Sequence, residues 1–555
     1  MPILRWAPSY ERRWLRFDIL AGVAVWAVLT PQAIAYASLA GAPPEAGFYA
    51  ATAAVLAYAL LGTCKELSVG PSTTPAITAA SIVAAASVAS NQVPVLLAAL
   101  ALVSGAVMIA SGVLRLGFIA DFLSRPVLVG FVTGIAIDVI VGQLPKLLGV
   151  PSGTGHTLHK AWTLATDVPD AQWRPLAVGL IGLALLVALQ RLAPSLPAAL
   201  IVVAASIAAS RAFDLAGKGV AVVNNLPSSL PTPALPHVGF DNLTVVLGGG
   251  LALAFISYAE SIGAARSMAR RNGYEVDPNQ ELIALGGGNL LAGVLQGFPT
   301  DASLSRTSVA DASKVRSPLF GLVVFVMLIV TILWLTPFFD GLPQATLAAV
   351  IIGSIYRLID VSGFRHLWRI DPRGDFVLAA VAVLGVLVFG ALGGIATAVI
   401  ASLVALLAKL YRPKVTTLGR APEGEADEDI RFRDIERHPE CETFPGLVIV
   451  RFGGELFFAN ATYLRSAVRR LAAGVDPPVR EVILDASAIP RLDTTAADVV
   501  VDLVDELDAA DVALVLARAS HRLRTDLHRF GLAEGRVTFF ESVGDAVQSF
   551  LARDD

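Results

Sequence analysis

From residue 18 to residue 411 this 555-residue chain is a succession of apolar stretches, each about 14 to 22 residues long, set apart by short polar turns. A helix rises 1.5 Å per residue, so about 20 apolar residues reach across the roughly 30 Å hydrocarbon layer of a bilayer. Candidate spans fall near 18–36, 46–62, 71–89, 94–114, 124–144, 176–192, 197–210, 242–263, 280–296, 301–314, 318–336, 344–359, 374–391 and 393–411. Only 16% of the residues are charged, against about a quarter in an ordinary soluble domain, so lipid is the solvent for most of this chain. The expected fold class is a polytopic α-helical membrane protein of 14 spans. Arg5, Arg12, Arg13 and Arg16 precede the first span much as in a signal peptide. That apolar core is too long for a leader and more spans follow, so a retained first helix is predicted.

Charge divides the chain in two. Residues 1–414 hold 26 Lys and Arg against 20 Asp and Glu, a net of +6, whereas 415–555 hold 16 against 26, a net of −10. The expected organisation is a membrane domain over 1–414 (a first half at about 15–212, a second at about 240–414), a linker over 415–445 and a soluble domain over 446–555. No strong basic bias invites nucleic acid. Cys64 and Cys441 provide neither a disulfide framework nor zinc spacing. Lys and Arg near span ends gather on the cytoplasmic side. With the N-terminus inside, twenty basic residues of the membrane domain fall on inner segments and five, Lys146, Lys160, Arg174, Arg211 and Lys218, on outer ones. An even span count with both termini cytoplasmic, in the cell's inner membrane, fits this asymmetry.

Two segments are wrong for lipid. The third span opens Val69-Gly70-Pro71-Ser72-Thr73-Thr74-Pro75, and the tenth opens Gly297-Phe298-Pro299-Thr300-Asp301-Ala302-Ser303-Leu304-Ser305-Arg306-Thr307-Ser308. Pro71 and Pro299 lie 228 positions apart, close to the separation of spans 1 and 8. Two repeats of seven spans follow, and because seven is odd the second is inverted. Proline in a first helical turn costs no hydrogen bond. Each segment is therefore read as a half-helix starting within the membrane, its positive end facing a polar cavity and suited to an anion. The alternative is a pair of ordinary loops outside the membrane.

Arg306 is the one basic residue on neither surface. An arginine at mid-membrane costs about 2.5 to 3.5 kcal/mol, so it needs a carboxylate, an anion or water. Glu260, in Phe255-Ile256-Ser257-Tyr258-Ala259-Glu260-Ser261 of span 8, is the obvious intramembrane carboxylate. An anion competing for Arg306 favours a proton on Glu260, a route to proton coupling. The alternative is a static Glu260–Arg306 ion pair locking span 8 to span 10.

These residues resemble the sulfate permease (SulP) family of anion transporters. The resemblance rests on Pro31-Gln32-Ala33-Ile34-Ala35-Tyr36-Ala37, on Gly62-Thr63-Cys64-Lys65-Glu66-Leu67-Ser68-Val69-Gly70-Pro71, on Asn279-Gln280-Glu281-Leu282, and on Phe298-Pro299 through Ser305-Arg306-Thr307. It implies a core of spans 1–4 and 8–11 moving against a gate of spans 5–7 and 12–14, in a homodimer. By position, Gln32, Tyr36, Ser305 and Arg306 line the anion site, with backbone N–H groups near Ser72 and Ser303. Glu260 matches the acidic position used for cation coupling. Sodium-dependent bicarbonate transporters of the family carry a Thr one turn later, where this chain has Ala264, which favours protons over sodium. Asp301 departs from the family pattern: it is either a helix cap or a second proton-carrying group. Asp138, inside span 5, is another departure, with no partner legible in sequence.

From Leu447 onward strands alternate with helices, a small α/β layer structure resembling the family's STAS domain. Strands are expected at Leu447–Phe452, in a short segment ending at Phe458, at Glu481–Asp485 and at 512–516. Thr494 occupies the loop that carries a phosphorylated Ser in the bacterial anti-sigma-factor antagonists this domain resembles. It is read as a helix N-cap or a regulatory phosphorylation site. No enzyme signature appears. The triplets Gly248-Gly249-Gly250 and Gly286-Gly287-Gly288 lack a P-loop's Lys and Ser/Thr and suit close helix packing. His156 and His159 lack a third metal ligand, so no metal and no cofactor are expected. The expected function is secondary active transport of a small anion (sulfate, bicarbonate or a dicarboxylate) by proton symport. The alternatives are an uncoupled chloride/bicarbonate exchanger or channel-like pathway, and a membrane-anchored anion sensor signalling through the STAS-like domain.

Overall fold

The computed structural model describes residues 2–8, 10–86, 88–118, 125–151, 153, 156–193, 196–223, 226–422, 432–473, 477–532 and 535–553. It divides into two units, Met1–Ser402 and Leu403–Asp555. In the first, a helical turn α1 (Ile3–Trp6) precedes α2 (Leu15–Ala40), α3 (Pro44–Leu61), strand β1 (Val69–Gly70), α4 (Thr73–Ala85), α5 (Val93–Val113), α6 (Arg125–Leu148), α7 (Thr157–Asp167), α8 (Trp173–Leu192), α9 (Ala198–Ala212) and strand β2 (Val222–Val223). Then follow α10 (Phe240–Arg271), α11 (Pro278–Val294), strand β3 (Asp301–Ala302), α12 (Leu304–Ala312), α13 (Leu319–Val330), strand β4 (Leu342–Pro343), α14 (Gln344–Ile355), α15 (Val361–Ile370) and α16 (Asp375–Tyr411). A helix stands at each of the fourteen apolar segments. Among the described residues seven helical stretches are long and apolar enough to cross a membrane and five shorter ones are apolar. The break between the last two segments is Gly390, whose φ of 73° lies in the left-handed region that a residue with a Cβ adopts at a cost.

The glycine triplets separate by role. A Cβ at Gly286 would sit 2.7 Å from the Gly105 carbonyl oxygen, and one at Gly105 would sit 2.6 Å from that of Gly286, so α5 and α11 meet backbone to backbone. A Cβ at Gly248 would meet nothing within 4 Å.

The motif around Asn279-Gln280-Glu281 ties helix ends together. Glu281, fully buried at the start of α11, accepts from the Tyr58 hydroxyl at 2.7 Å and from the Thr63 N–H and hydroxyl at 2.7 and 2.6 Å. Gln280 donates to the Leu61 carbonyl at 2.9 Å, and Asn279 accepts from the Gly117 N–H at 2.9 Å. Three donors compensate one buried carboxylate, which makes Glu281 a staple between the ends of α3 and α11. Asp138 finds its partner on α7: Lys160 Nζ lies 3.0 Å from its carboxylate and the Thr157 hydroxyl 2.8 Å. His156 caps α7, its Nδ1 accepting from the His159 N–H.

In the second unit a six-stranded sheet has the order β10-β9-β8-β7-β5-β6, built from β5 (Val415–Arg420), β6 (Phe432–Asp434), β7 (Leu447–Phe452), β8 (Glu481–Asp485), β9 (Ala513–Ala517) and β10 (Thr538–Phe540). Strands β7 to β10 run parallel and β5 joins β7 antiparallel. Helices α17 (Ala461–Ala472), α18 (Thr494–Asp508) and α19 (His521–Arg529) cover one face and α20 (Val543–Leu551) the other. Alternation along β7 explains this: Val448, Val450 and Phe452 pack with Leu464, Val504 and Leu523, while Leu447 and Ile449 pack with Val547 and Phe550. Two differences from the sequence reading stand out. The 415–445 segment, read as linker, supplies β5 and β6, because antiparallel pairing of β5 with β7 and of β6 with β5 gives these residues a ladder that no local pattern announces. The short strand expected to end at Phe458 is absent: residues 453–457 are irregular and 458–460 form a turn.

At the carboxyl ends of β7, β8 and β9 the fully buried Asp485 accepts from Arg451 Nε at 2.6 Å and from the Arg518 guanidinium. Burial pushes its carboxyl up, but the hydrogen bonds from Arg518 and then Arg451 outweigh burial and hold it below the usual carboxylate range. A depressed folded-state pKa gives stability that is present above the unfolded value of about 3.9 and is lost as pH falls through the folded value. We expect Asp485→Ala to destabilise this unit by about 2 to 4 kcal/mol at neutral pH. Hydrogen exchange of the β7, β8 and β9 amides in the intact protein reads it. The gap between variant and parent should close only below about pH 4.

Candidate functional site

Helices α4 and α12 are 13 and 9 residues long, about 20 and 14 Å, so neither spans the hydrocarbon layer alone. The non-helical backbone ahead of each is satisfied by the other. Strands β1 and β3 pair antiparallel, Val69 opposite Ala302 and Gly70 opposite Asp301, and the Ser303 N–H donates to the Ser68 carbonyl at 3.0 Å. Proline sets this up locally, since Pro71 and Pro299 cannot continue a helix and Pro75 is tolerated in the first turn of α4.

Arg306, in the first turn of α12, is fully buried. Its Nη1 donates to Gln32 Oε1 at 3.0 Å and to the Pro71 carbonyl at 2.8 Å, and its Nε lies 3.4 Å from the Ser68 hydroxyl. Its Nη2 has no hydrogen-bond partner, and no carboxylate among the described residues lies within ion-pair distance. A static ion pair with Glu260 is therefore not what holds this arginine. Glu260 instead accepts from the Thr74 hydroxyl of α4 at 3.1 Å. Arg306 and Glu260 thus each have neutral partners: Gln32, Ser68 and Pro71 for the first and Thr74 for the second.

Tyr36 lies one turn beyond Gln32 on α2 and is buried. The Ser72 hydroxyl donates to Asp301 Oδ1. Ser303 and Ser305 share a hydrogen bond at 3.1 Å on the open side of the α12 turn. The structure thus gathers Gln32, Tyr36, Ser72, Glu260, Asp301 and Arg306 around the β1–β3 pair. Two expectations change. Asp301 does not cap α12: Ser303 holds the N-cap position, and Asp301 sits in β3 and reaches across to Ser72. The Ser303 N–H, expected at an anion, is occupied by the Ser68 carbonyl, because strand pairing extends one residue past β3. The first-turn N–H groups that follow have no intrahelical partner.

Asp301 Oδ2 is buried and receives no donor. Ser68, Thr74 and Ser261 were given no role from sequence. Ser68 touches Arg306, Thr74 touches Glu260, and the Ser261 hydroxyl accepts from the Ala302 N–H at 2.9 Å. Their only signal was a hydroxyl beside a residue already singled out.

In the second unit Asp493, not Thr494, is the N-cap of α18: its carboxylate accepts from the Ala496 N–H at 2.8 Å and from the Phe458 N–H at 2.9 Å. Thr494 is exposed, one residue into the helix.

Two short helices whose lead-in strands pair through β1 and β3, with a buried arginine in the first turn of one, in a helical membrane unit followed by an α/β unit, define an anion-transporter fold. Comparison agrees. Residues 15–382 match the model of the Sulfate permease family and residues 438–546 that of the STAS domain. A protein named "Probable sulfate transporter" from Mycobacterium tuberculosis (strain CDC 1551 / Oshkosh) is 36% identical over 560 residues, covering 99% of this chain and 98% of its own. The chloroplastic sulfate transporter 4.1 of Arabidopsis thaliana is 30% identical over 574 residues, covering 99% of this chain and 82% of its own. The murine Solute Carrier 26 family member A9 anion transporter, in the inward-facing state, superposes with a TM-score of 0.89 at 23% identity, over 100% of this chain and 94% of that one. The transmembrane domain of the cyanobacterial bicarbonate transporter BicA gives 0.62 at 22% identity, over 72% and 98%. The chain belongs to the sulfate permease family of anion transporters, whose members matched here are transporters and not enzymes.

Proposed function

We propose that this protein is a proton-coupled symporter of a small divalent or monovalent anion, with sulfate the first candidate because the relatives matched along nearly their whole length bear that name. The observation that carries the reading is the orphaned Nη2 of Arg306: a fully buried guanidinium with no carboxylate partner and one nitrogen unsatisfied. A buried charged donor without an acceptor costs more than about 1 to 3 kcal/mol, and a purely structural arginine has no reason to carry that cost. An anion supplies the missing acceptor, held also by the first-turn amides near Ser72 and Ser303 and by Gln32, Tyr36 and Ser305. Glu260 and Asp301 hold the coupled proton. An anion at Arg306 raises the field at the carboxyl pair and favours its protonation, and by reciprocity the protonated pair favours the anion.

In this reading fourteen spans form two inverted repeats of seven, both termini face the cytoplasm of a cell whose inner membrane holds the protein as a homodimer, and the core moves against the gate. Residues 1–414 transport and 446–555 form the cytoplasmic domain, where the exposed Thr494 is the position for a regulatory phosphate. Purified protein in liposomes tests the function. Labelled sulfate should accumulate when the outside is acid and not when pH is equal on both sides, and sodium should have no effect. A panel of unlabelled bicarbonate, dicarboxylate and chloride then ranks the anions by competition. Sodium-dependent uptake indifferent to pH would sink the proposal.

A further inference from the structure

Lys146 lies two residues from the end of α6, where its ammonium donates to the Ser38 hydroxyl of α2 at 2.9 Å. Ser38 is two residues past Tyr36 and six past Gln32 on the same helix, about 3 and 9 Å further along its axis. An ammonium has three N–H donors, and Ser38 is the partner the structure gives it. A cation largely withdrawn from water ordinarily has a carboxylate beside it. The carboxylate on its own helix, Asp138, is two turns away and already held by Lys160 at 3.0 Å and by Thr157 at 2.8 Å. Placement near the C-terminal end of α6 favours a cation there by a fraction of a kcal/mol, which does not satisfy the two remaining N–H groups.

We infer that Lys146 is a second anion-binding position, on the outer side of the Arg306 site, which takes a small oxyanion before it passes along α2 to Tyr36, Gln32 and Arg306. The inference rests on the proposed direction of the chain and on Arg306 as the inner site. Ser38 holds the ammonium when no anion is there, and an arriving oxyanion replaces that hydroxyl with a charge-assisted hydrogen bond. Two cations, from α6 and α12, each bonded to a side chain of α2, suit a divalent anion better than a monovalent one.

Labelled sulfate uptake into intact cells, and into inverted membrane vesicles from the same cells, tests it. Lys146→Gln should raise the apparent KM for sulfate from the outer face about tenfold with the maximal rate within about twofold, as for loss of one charge-assisted hydrogen bond. From the inner face KM should stay within about twofold. Lys146→Arg, which keeps the charge, should lie close to the parent, and it guards against a folding defect in the glutamine variant. An unchanged outer KM, an equal rise from both faces, or a fall in maximal rate at constant KM would each overturn the assignment. Failure of the underlying site reading is separate: it shows as full transport by Arg306→Ala, whatever the asymmetry at Lys146.

Discussion

Arg306→Ala should reduce the initial rate of proton-driven sulfate uptake by at least about 100-fold in liposomes. The substitution removes the unsatisfied Nη2 together with the charge, and hydrogen bonds to a charged donor in a dry site are each worth about 1.5 to 3 kcal/mol. It also leaves Gln32 Oε1 and the Pro71 carbonyl without their donor, so part of the effect is local rearrangement of the β1–α4 turn. Arg306→Lys separates the two contributions. It keeps the charge but loses the fork that reaches Gln32, Pro71 and the anion together, and an intermediate loss of about tenfold is expected. Size-exclusion profiles of the detergent-solubilised variants should match the parent. Arg306→Ala at the full rate would mean that the anion passes elsewhere.

Glu260→Gln should uncouple anion movement from the proton. In the parent, an inward gradient of one pH unit at zero membrane potential supports about tenfold sulfate accumulation per coupled proton, since one pH unit is worth about 1.4 kcal/mol. In the glutamine variant the accumulation ratio should fall to about one while downhill exchange of labelled for unlabelled sulfate persists. Asp301→Asn should do the same, and the double variant should be no worse than either, because two carboxyl groups sharing a proton act as one unit. The hydrogen bond from Thr74 survives Glu260→Gln through the amide oxygen, so the fold around α4 should be kept. A variant that still accumulates sulfate on an imposed pH gradient would remove Glu260 from the coupling step.

The elements of the first unit are legible because their signals are local. Each apolar stretch carries a helix, most of them within a few residues of the expected ends although α10 runs on to Arg271, and proline with hydroxyl residues marks where α4 and α12 start short. Charge segregation likewise separates the acidic α/β unit. Recognition of strand β5 fails for the opposite reason: its six residues adjoin a charged stretch and show no clear alternation, and what makes them a strand is β7 alongside. The motif Asn279-Gln280-Glu281 served only as a family mark in sequence, and its physical purpose is visible in the donors from Tyr58 and Thr63, 223 and 218 positions away.

Sequence by itself determined that this chain folds in lipid, that polar half-helices interrupt two of its apolar segments, and that Arg306 is the one basic residue stranded away from both surfaces. Hydropathy, proline and charge count act over a few residues or as sums, so no distances are needed. Tertiary structure alone decided the pairings. Arg306 goes to Gln32, 274 positions away, and to Pro71 in place of Glu260; Asp301 goes to Ser72, 229 positions away; Asp138 takes Lys160, and Lys146 crosses to Ser38. A buried polar group accepts whichever partner the packed helices bring within about 3 Å, and among the twenty α-helices of the described residues that choice is a property of packing and not of spacing.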